Sequence, residues 1–268
     1  MDFKTFLQEF KKITDYDFCD YSENSISRRL QKICDETKMT FEEILRRCVT
    51  DRPFMGRVVE DITVNTTELF RDPQVWVSLF NTLYKSLPKT TVTFWHIGCS
   101  VGLEVYSNLI MLSELNMLDK CRIIGTDINP RVLSVAKKGE YAYSFNKYFE
   151  DNFNAVMRGI GSKSKFSDYF DIDEKKDQIK IKPPLLGKPR FICHNLVMGQ
   201  SPFAYRVDVV FFRNVMIYFN DALQRKIMAM VYSKMYDNSF LILGKREDLP
   251  KSLKSKFISN NIFFQKAN

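Results

Sequence analysis

The sequence predicts an α/β fold, a doubly wound domain with a small antiparallel β-subdomain, preceded by a small all-α N-terminal domain. Three observations predict it. From residue 91 onward, short apolar segments of strand character alternate with helical patterns, as in a sheet covered by helices on its faces. The first such segment runs through Phe94 and Ile97 into Gly98-Cys99-Ser100-Val101-Gly102 and then an apolar helix. Backbone at a glycine and the N–H groups of a helix N-terminus are both open to a ligand at such a turn. The first sixty or so residues carry helical periodicity and no strand signal.

Taken in order, Phe3, Phe6, Leu7, Phe10 and Ile13 fall at helical spacing. Ile26, Leu30, Ile33 and Cys34 form a second apolar stripe, with Arg28, Arg29 and Lys32 on the opposite face of that helix. Thr40 with Glu43 predicts a capping box for a third helix carrying Ile44, Leu45 and Cys48. Pro53 ends that helix or begins a fourth, lined by Val58, Val59 and Ile62. From Thr63 to Pro73 the sequence turns polar, TVNTTELFRDP, and Asn and Thr there favour caps and turns over helix interior. The domain junction falls in this stretch. The helical domain is assigned to 1–64, a site-contacting linker to 65–80, and the α/β domain to 81–268 with its β-subdomain at about 166–194.

A helix with Val75, Leu79 and Leu83 leads into a strand over Thr91–Ile97, a helix over Glu104–Leu115 and a strand over Cys121–Asp127. A helix over Pro130–Gly139 follows. The aromatic-rich stretch Tyr141–Phe170 reads as short helices and loops, and Gln178–Lys182 with Pro189–Cys193 as paired strands around the charged turn Asp173–Asp177. Val207–Phe212 is continuously apolar, as a strand buried on both faces requires. A helix over Asn220–Met235 and strands at Phe240–Leu243 and Ile262–Gln265 close the chain.

Composition narrows the class. The 268 residues are 45% hydrophobic and 27% charged, ordinary for a globular protein, and no apolar run approaches the roughly 20 residues that span a bilayer. The N-terminus lacks the apolar block of a signal peptide, so a cytoplasmic address is expected, without membrane insertion. Six scattered cysteines with no CxxC pair, and only two histidines, argue against a zinc site and a disulfide framework. The formal charge of +8 fits nucleic acid, an acidic protein partner or only a soluble surface, and the RGG, KH or RNP-type patterns that would favour nucleic acid do not accompany it.

Asp127 ends the second strand a little over 20 residues after the glycine turn, where an acid accepts hydrogen bonds from ribose hydroxyls. Asp-Ile-Asn-Pro also reads as a turn that caps the next helix. The turn lacks GxGxxG, so a nucleoside without a phosphate chain fits better than a dinucleotide, and S-adenosylmethionine is the common one.

Four blocks resemble the chemotaxis receptor methyltransferases of the CheR type, in that family's order. They are Asn65-Thr66-Thr67-Glu68-Leu69-Phe70-Arg71-Asp72-Pro73; Gly98-Cys99-Ser100 with Gly102, Glu104, Tyr106 and Ser107; Gly125-Thr126-Asp127-Ile128-Asn129; and Phe212-Arg213-Asn214-Val215-Met216-Ile217-Tyr218-Phe219. The first and last are the selective ones. The resemblance implies a Rossmann-like methyltransferase domain with S-adenosylmethionine as cofactor and S-adenosylhomocysteine as product. It implies Asn65, Thr67 and Arg71 at the methionine end, Gly98 and Glu104 at the glycine turn and Asp127 on the ribose. Asn195 and Leu196 would surround the adenine, with Arg213 and Asn214 closing the pocket beneath it. Arg71 and Tyr218 would stand nearest the transferring methyl as the catalytic pair.

The implied reaction is O-methylation of glutamate side chains on cytoplasmic helices of methyl-accepting chemotaxis receptors. The basic face of Arg28, Arg29 and Lys32 would meet the acidic receptor bundle, with neither nucleic acid nor metal involved. Leu103 and Val105 depart from the family pattern around Glu104, and Gly244-Lys245-Arg246-Glu247 stands where Gly-His-Ser-Glu is usual. That last departure motivates the alternative, a cofactor-binding signalling adaptor with weak or no transfer. The turn Asp173–Asp177 has no glycine, unlike members that tether a receptor's C-terminal peptide, so an untethered enzyme is expected.

Overall fold

The computed structural model of the chain describes residues 1–267 apart from 64, 65, 89, 145 and 147. Helices α1 (Phe3–Ile13), α2 (Glu23–Thr37), α3 (Phe41–Thr50) and α4 (Arg52–Ile62) form the N-terminal module. Each buries the stripe its spacing predicts, and Phe6, Phe10, Leu30, Ile44 and Val58 meet in one cluster. Ile13 is the exception: in the last turn of α1 it lies exposed. The Thr40–Glu43 capping box is present with both hydrogen bonds. Asp51 caps α4, and Pro53 sits in its first turn, where a missing N–H costs nothing.

After α5 (Pro73–Thr82) come β1 (Val92–Ile97), α6 (Leu103–Glu114), β2 (Cys121–Asp127) and α7 (Pro130–Lys138). Next are β3 (Glu140–Ala142), α8 (Tyr148–Ile160), α9 (Phe166–Tyr169), β4 (Phe170–Asp173), β5 (Gln178–Ile181), α10 (Pro183–Leu186) and β6 (Pro189–Cys193). The chain continues through β7 (Val207–Phe212), α11 (Asp221–Ser233), β8 (Met235–Leu243), β9 (Phe257–Ser259) and β10 (Phe264–Lys266). Among the described residues the main sheet has seven strands in the order β6-β2-β1-β7-β8-β10-β9. Its first five are parallel, and β10 runs antiparallel to both neighbours. The chain moves outward from β1 through β2 to β6, then returns to place β7 on the other side of β1. Loops leaving β1 and β7 therefore diverge, and the crevice between them is where a ligand can sit.

Successive strand residues face opposite sides of this sheet. Phe94, Val209 and Phe211 join the core that α5, α6 and α8 cover, whereas Trp95, Ile97, Val210 and Phe212 join the one under α11. All six residues of β1 are buried, as a central parallel strand requires.

Two local expectations are corrected. Gln178–Ile181 does not pair with Pro189–Cys193; it lies between β3 and β4 in a separate three-stranded antiparallel sheet, and β6 joins the main sheet beside β2. The β-subdomain thus occupies about 140–181 rather than about 166–194. Pro183 and Pro184 explain the separation, because they start α10 and stop β5 from running on. The charged turn joins β4 to β5, with Asp177 rather than glycine in the left-handed region at φ 50°. The stretch expected to hold only short helices contains α8, whose Phe149, Phe153, Val156 and Met157 are buried at helical spacing.

Candidate functional site

A cleft of about 930 Å³, open to solvent, lies at the crevice between β1 and β7. The loops after β1, β2 and β6 contribute Gly98, Glu104, Asp127, Asn195 and Leu196. The segment after β7 contributes Arg213, Asn214 and Tyr218, and the segment before α5 contributes Thr67 and Arg71. All of these were singled out from the sequence, and the fold brings them together. Asn65 lies outside the described residues.

The glycine turn is fastened to β2. Cys99 N–H donates to the Thr126 carbonyl at 2.9 Å, and Ser100 N–H donates to Asp127 Oδ2 at 2.9 Å. Gly98 has φ +66°, and a Cβ there would stand 2.4 Å from Val215 Cγ2. Glycine alone allows the segment after β7 to close so near. Asp127 Oδ1 accepts from Asn129 N–H at 3.0 Å, while Asn129 itself caps α7. Asp127 therefore braces the turn and lines the cleft, while the cap of the next helix is Asn129 rather than Asp127. Burial raises its pKa above the ordinary aspartate value, and the N–H donors of Asn129 and Ser100 offset this only partly.

Beneath the cleft lies a buried ion cluster. The Arg213 side chain is 1% exposed; its Nη2 bonds Asp72 Oδ2 at 2.9 Å and its Nη1 bonds Glu104 Oε2 at 3.3 Å. Lys245 Nζ reaches the other Asp72 oxygen at 2.8 Å. His96, fully buried in β1, faces Glu104 Oε1 through Nδ1 at 2.9 Å. Burial works against ionisation of Glu104, but His96 and Arg213 outweigh it and hold its pKa low. Burial is likewise outweighed at Asp72, by Lys245 and Arg213. Arg213, expected to close the adenine pocket, lines the cleft; both of its terminal nitrogens bond these acids, and its buried Nε has no hydrogen-bond partner. Phe70 and Asp72 lie in the left-handed region, at φ 49° and 60°. Such backbone costs about 1–3 kcal/mol per residue and persists only where its surroundings hold it. Phe70 N–H donating to Ser107 Oγ at 2.8 Å and the Asp72 ion pairs do so here.

The segment after β7 hangs on Glu247. One carboxylate oxygen accepts from Asn214 and Gly244 N–H at 2.6 and 2.7 Å, the other from Val215 and Met216 N–H at 2.8 Å each. So the Lys245-Arg246 departure leaves the retained glutamate as the anchor, and Lys245 pins Asp72. Sequence reasoning passed over His96 and the anchoring role of Glu247. The signal for His96 was a titratable ring in a buried strand that is apolar but for Thr93; Glu247 stands in a block the family shares, but its anchoring role gave no signal, because its partners are backbone.

The helical module also reaches the cleft. Tyr21 packs edge-on against Phe219 at 5.1 Å, and Ser22 N–H donates to the Tyr218 carbonyl at 2.7 Å. Arg29 does not share the exposed face of Arg28 and Lys32. It turns into the cleft, bonding the Ile62 carbonyl at 2.6 Å with its guanidinium 4.8 Å from the Tyr218 ring centre. Lys32 is exposed beside Glu36 at 3.5 Å. The expected three-residue basic face is thus divided.

The donor set suits a nucleoside joined to an amino acid: an acid at the end of β2, polar groups around Asn195, and paired acids and arginines opposite. Comparison with known proteins agrees. A family model described as CheR methyltransferase, SAM binding domain, matches residues 65–263. The chain is 31% identical over 236 residues to the putative methyltransferase Cher3 of Pseudomonas putida, covering 87% of this chain and 84% of that protein. It is 27% identical over 236 residues to chemotaxis protein methyltransferase 1 of Pseudomonas aeruginosa, covering 84% and 81%. With the chemotaxis protein methyltransferase of Listeria monocytogenes the identity is 23% over 267 residues, covering 98% and 96%.

Glu247→Gln keeps the size of the side chain but turns an amide toward two backbone donors. Each buried donor left without a partner costs about 1–3 kcal/mol, so the unfolding free energy in urea is expected to fall by about 2 kcal/mol or more. An unchanged midpoint and slope would remove Glu247 as the anchor of the segment.

Proposed function

Since the chain belongs to the CheR methyltransferase family, of S-adenosylmethionine-dependent methyltransferases, we propose that it methylates glutamate side chains on cytoplasmic helices of methyl-accepting chemotaxis receptors. The observation that carries this reading is the convergence on one cleft of the two selective blocks, Thr67 with Arg71 and Arg213 through Tyr218, with the glycine turn and Asp127. Bound S-adenosylmethionine supplies a methyl activated by its sulfonium. The residues of the chain then have placement as their task. Asp127 accepts hydrogen bonds from the ribose, Asn195 and Leu196 border the adenine, and Thr67, Arg71 and Glu104 hold the methionine end.

A glutamate carboxylate is ionised near neutral pH and needs no general base. Arg71 orients it through paired N–H donors, with Tyr218 beside it, so that nucleophile, carbon and sulfur come into line. Fixing such geometry can supply roughly 7–11 kcal/mol in favourable cases. A tight arginine–carboxylate pair also dulls the nucleophile, so Arg71 contributes position more than bond-making.

Arg28 and Lys32, exposed on α2, suit steering toward an acidic helical bundle in the cytoplasm. No helix among the described residues is long and apolar enough to cross a membrane. The adaptor alternative gains no support from the Lys245-Arg246 departure, because Lys245 braces Asp72 and Glu247 keeps its anchoring bonds. A hairpin whose turn is closed by Asp177 supports an enzyme that works without a C-terminal tether.

With a receptor cytoplasmic fragment and methyl-labelled cofactor, the label is expected on protein and released as methanol by mild alkali, the behaviour of a carboxyl ester. Arg71→Ala is expected to lower kcat/KM by about 100-fold or more; wild-type rates in that variant would sink the assignment. A peptide copying a receptor's C-terminus should give no saturable heat on titration, and measurable binding to the β-subdomain would overturn the untethered reading.

Acid separates two events. Asp127, raised by burial, takes up its proton first as pH falls, above the ordinary aspartate value of about 3.9, and ribose binding weakens. The pairs of Glu104 and Asp72, held low, stabilise in full above the ordinary carboxylate range and lose that contribution progressively as pH falls from that range to their lower folded-state values. Affinity for S-adenosylhomocysteine should therefore decline at a pH where the melting temperature of the ligand-free chain has not begun to fall, since a carboxyl that holds its proton more tightly in the folded chain adds stability as it titrates. A joint decline would contradict the role given to Asp127.

A further inference from the structure

His96 is a histidine that the fold has little reason to keep. It is fully buried in β1, its ring stacked on Phe211 with centres 4.5 Å apart, in a strand otherwise built of apolar residues and one threonine. A polar ring in such a place costs free energy unless both nitrogens are satisfied. Both are. Nε2 lies 2.8 Å from Asn108 Nδ2, and Nδ1 lies 2.9 Å from Glu104 Oε1.

The chain of bonds assigns the proton. The Tyr84 hydroxyl, also buried, donates to Asn108 Oδ1 at 2.6 Å. Asn108 then turns its amide N–H toward His96, so Nε2 is the acceptor and the ring proton is on Nδ1, donating to Glu104. The reverse orientation of Asn108 would leave the phenol proton without an acceptor among the described residues. Glu104 is thus gripped on both oxygens, by His96 from the strand and by Arg213 from the far side of the cleft. Tyr84, Asn108 and His96 form a rod from the hydrophobic core to a carboxylate that lines the cleft.

We propose that His96 is a positioning residue for the cofactor: by donating from Nδ1, with Asn108 and Tyr84 behind it, it fixes the Glu104 carboxylate in the orientation that receives the methionine end. The inference rests on the reading of Glu104 as a cofactor contact, and it adds the residue that sets where that contact points. A carboxylate free to rotate would have to be ordered at each binding event, and a fixed one has that cost removed beforehand.

The test is the dissociation constant for S-adenosylhomocysteine, measured by titration calorimetry on the full chain, with melting temperature recorded beside it. His96→Leu fills the space against Phe211 but cannot donate, and is expected to weaken binding about tenfold or more, as loss of a hydrogen bond to a charged group does. His96→Asn places an amide near the position of Nδ1 and is expected to bind within about threefold of wild type. His96→Gln reaches the position of Nε2 instead and is expected to behave like the leucine variant. Should His96→Leu fail to fold, the asparagine and glutamine variants decide: equal affinity in both overturns the proposal. Glu104→Gln separates it from the underlying reading. Unchanged affinity there overturns the role of Glu104 and this inference with it, whereas weakened affinity there with a normal His96→Leu overturns this inference alone.

Discussion

Arg213 is a guanidinium taken almost wholly out of water, and the structure around the cleft follows from that. An unpaired buried charge is too costly to keep, so acids must come to it. They come from two places far apart in the chain: Asp72 from the start of α5 and Glu104 from the first turn of α6. The price of leaving either absent would fall on the other two. The cluster therefore ties the end of β7 to the helix after β1 and to the segment that carries Arg71. Removal of the arginine would leave Glu104 to His96 and Asp72 to Lys245 alone, and would take away one of the two ion pairs that hold Asp72 in its left-handed conformation.

The same requirement explains how the N-terminal module matters to the site. Its helices have their own apolar core, and among the described residues the module meets the segment after β7 through an isolated antiparallel bridge between Tyr21 and Phe219, outside the strands of the sheet. That bridge falls on the segment after β7, whose other side is held by Glu247. Asp20 adds its carbonyl and carboxylate to Asn220 at 2.9 and 3.1 Å, fastening the module where α11 begins. Tyr218 thus has its backbone fixed from the helical module and its ring beneath Arg29. Movement of the module would move the wall of the cleft with it.

Much of this was legible in the sequence because local patterns carried it. Helical spacing located the N-terminal helices, continuous apolar runs located β1 and β7, and linear blocks located the residues lining the cleft. What escaped was pairing between distant segments. Whether Pro189–Cys193 joins β5 or β2 is decided by the path of the chain after Pro183-Pro184, which spacing does not record. The ion pairs of Arg213 escaped because Asp72 and Glu104 lie in other segments of the chain, and spacing along the sequence does not show which acids meet a guanidinium. Arg29 was assigned to an exposed face since helical periodicity gives an angle around α2 and says nothing of which neighbour stands there. Glu247 bonds only to backbone N–H groups, so no partner residue announces it.

The departure at residues 245 and 246 acquires a physical meaning from the charge of the cluster. Glu104 and Asp72 bring two negative charges, and Arg213 alone supplies one positive charge beneath the cleft. Lys245, paired with Asp72, brings the four groups to zero. Its side chain is 61% exposed, so the direct pair is worth little as a surface ion pair. Its larger effect is on the partner it leaves behind. With Asp72 satisfied on one oxygen by Lys245, Arg213 is free to lean on Glu104 as well, and Glu104 stays ionised despite its burial. With His96 holding the other oxygen, the carboxylate that faces the cleft is charged and fixed before any ligand arrives. A residue that looked like the loss of a family feature is, in this chain, part of what balances the charge beneath the cleft and keeps Glu104 ionised and fixed.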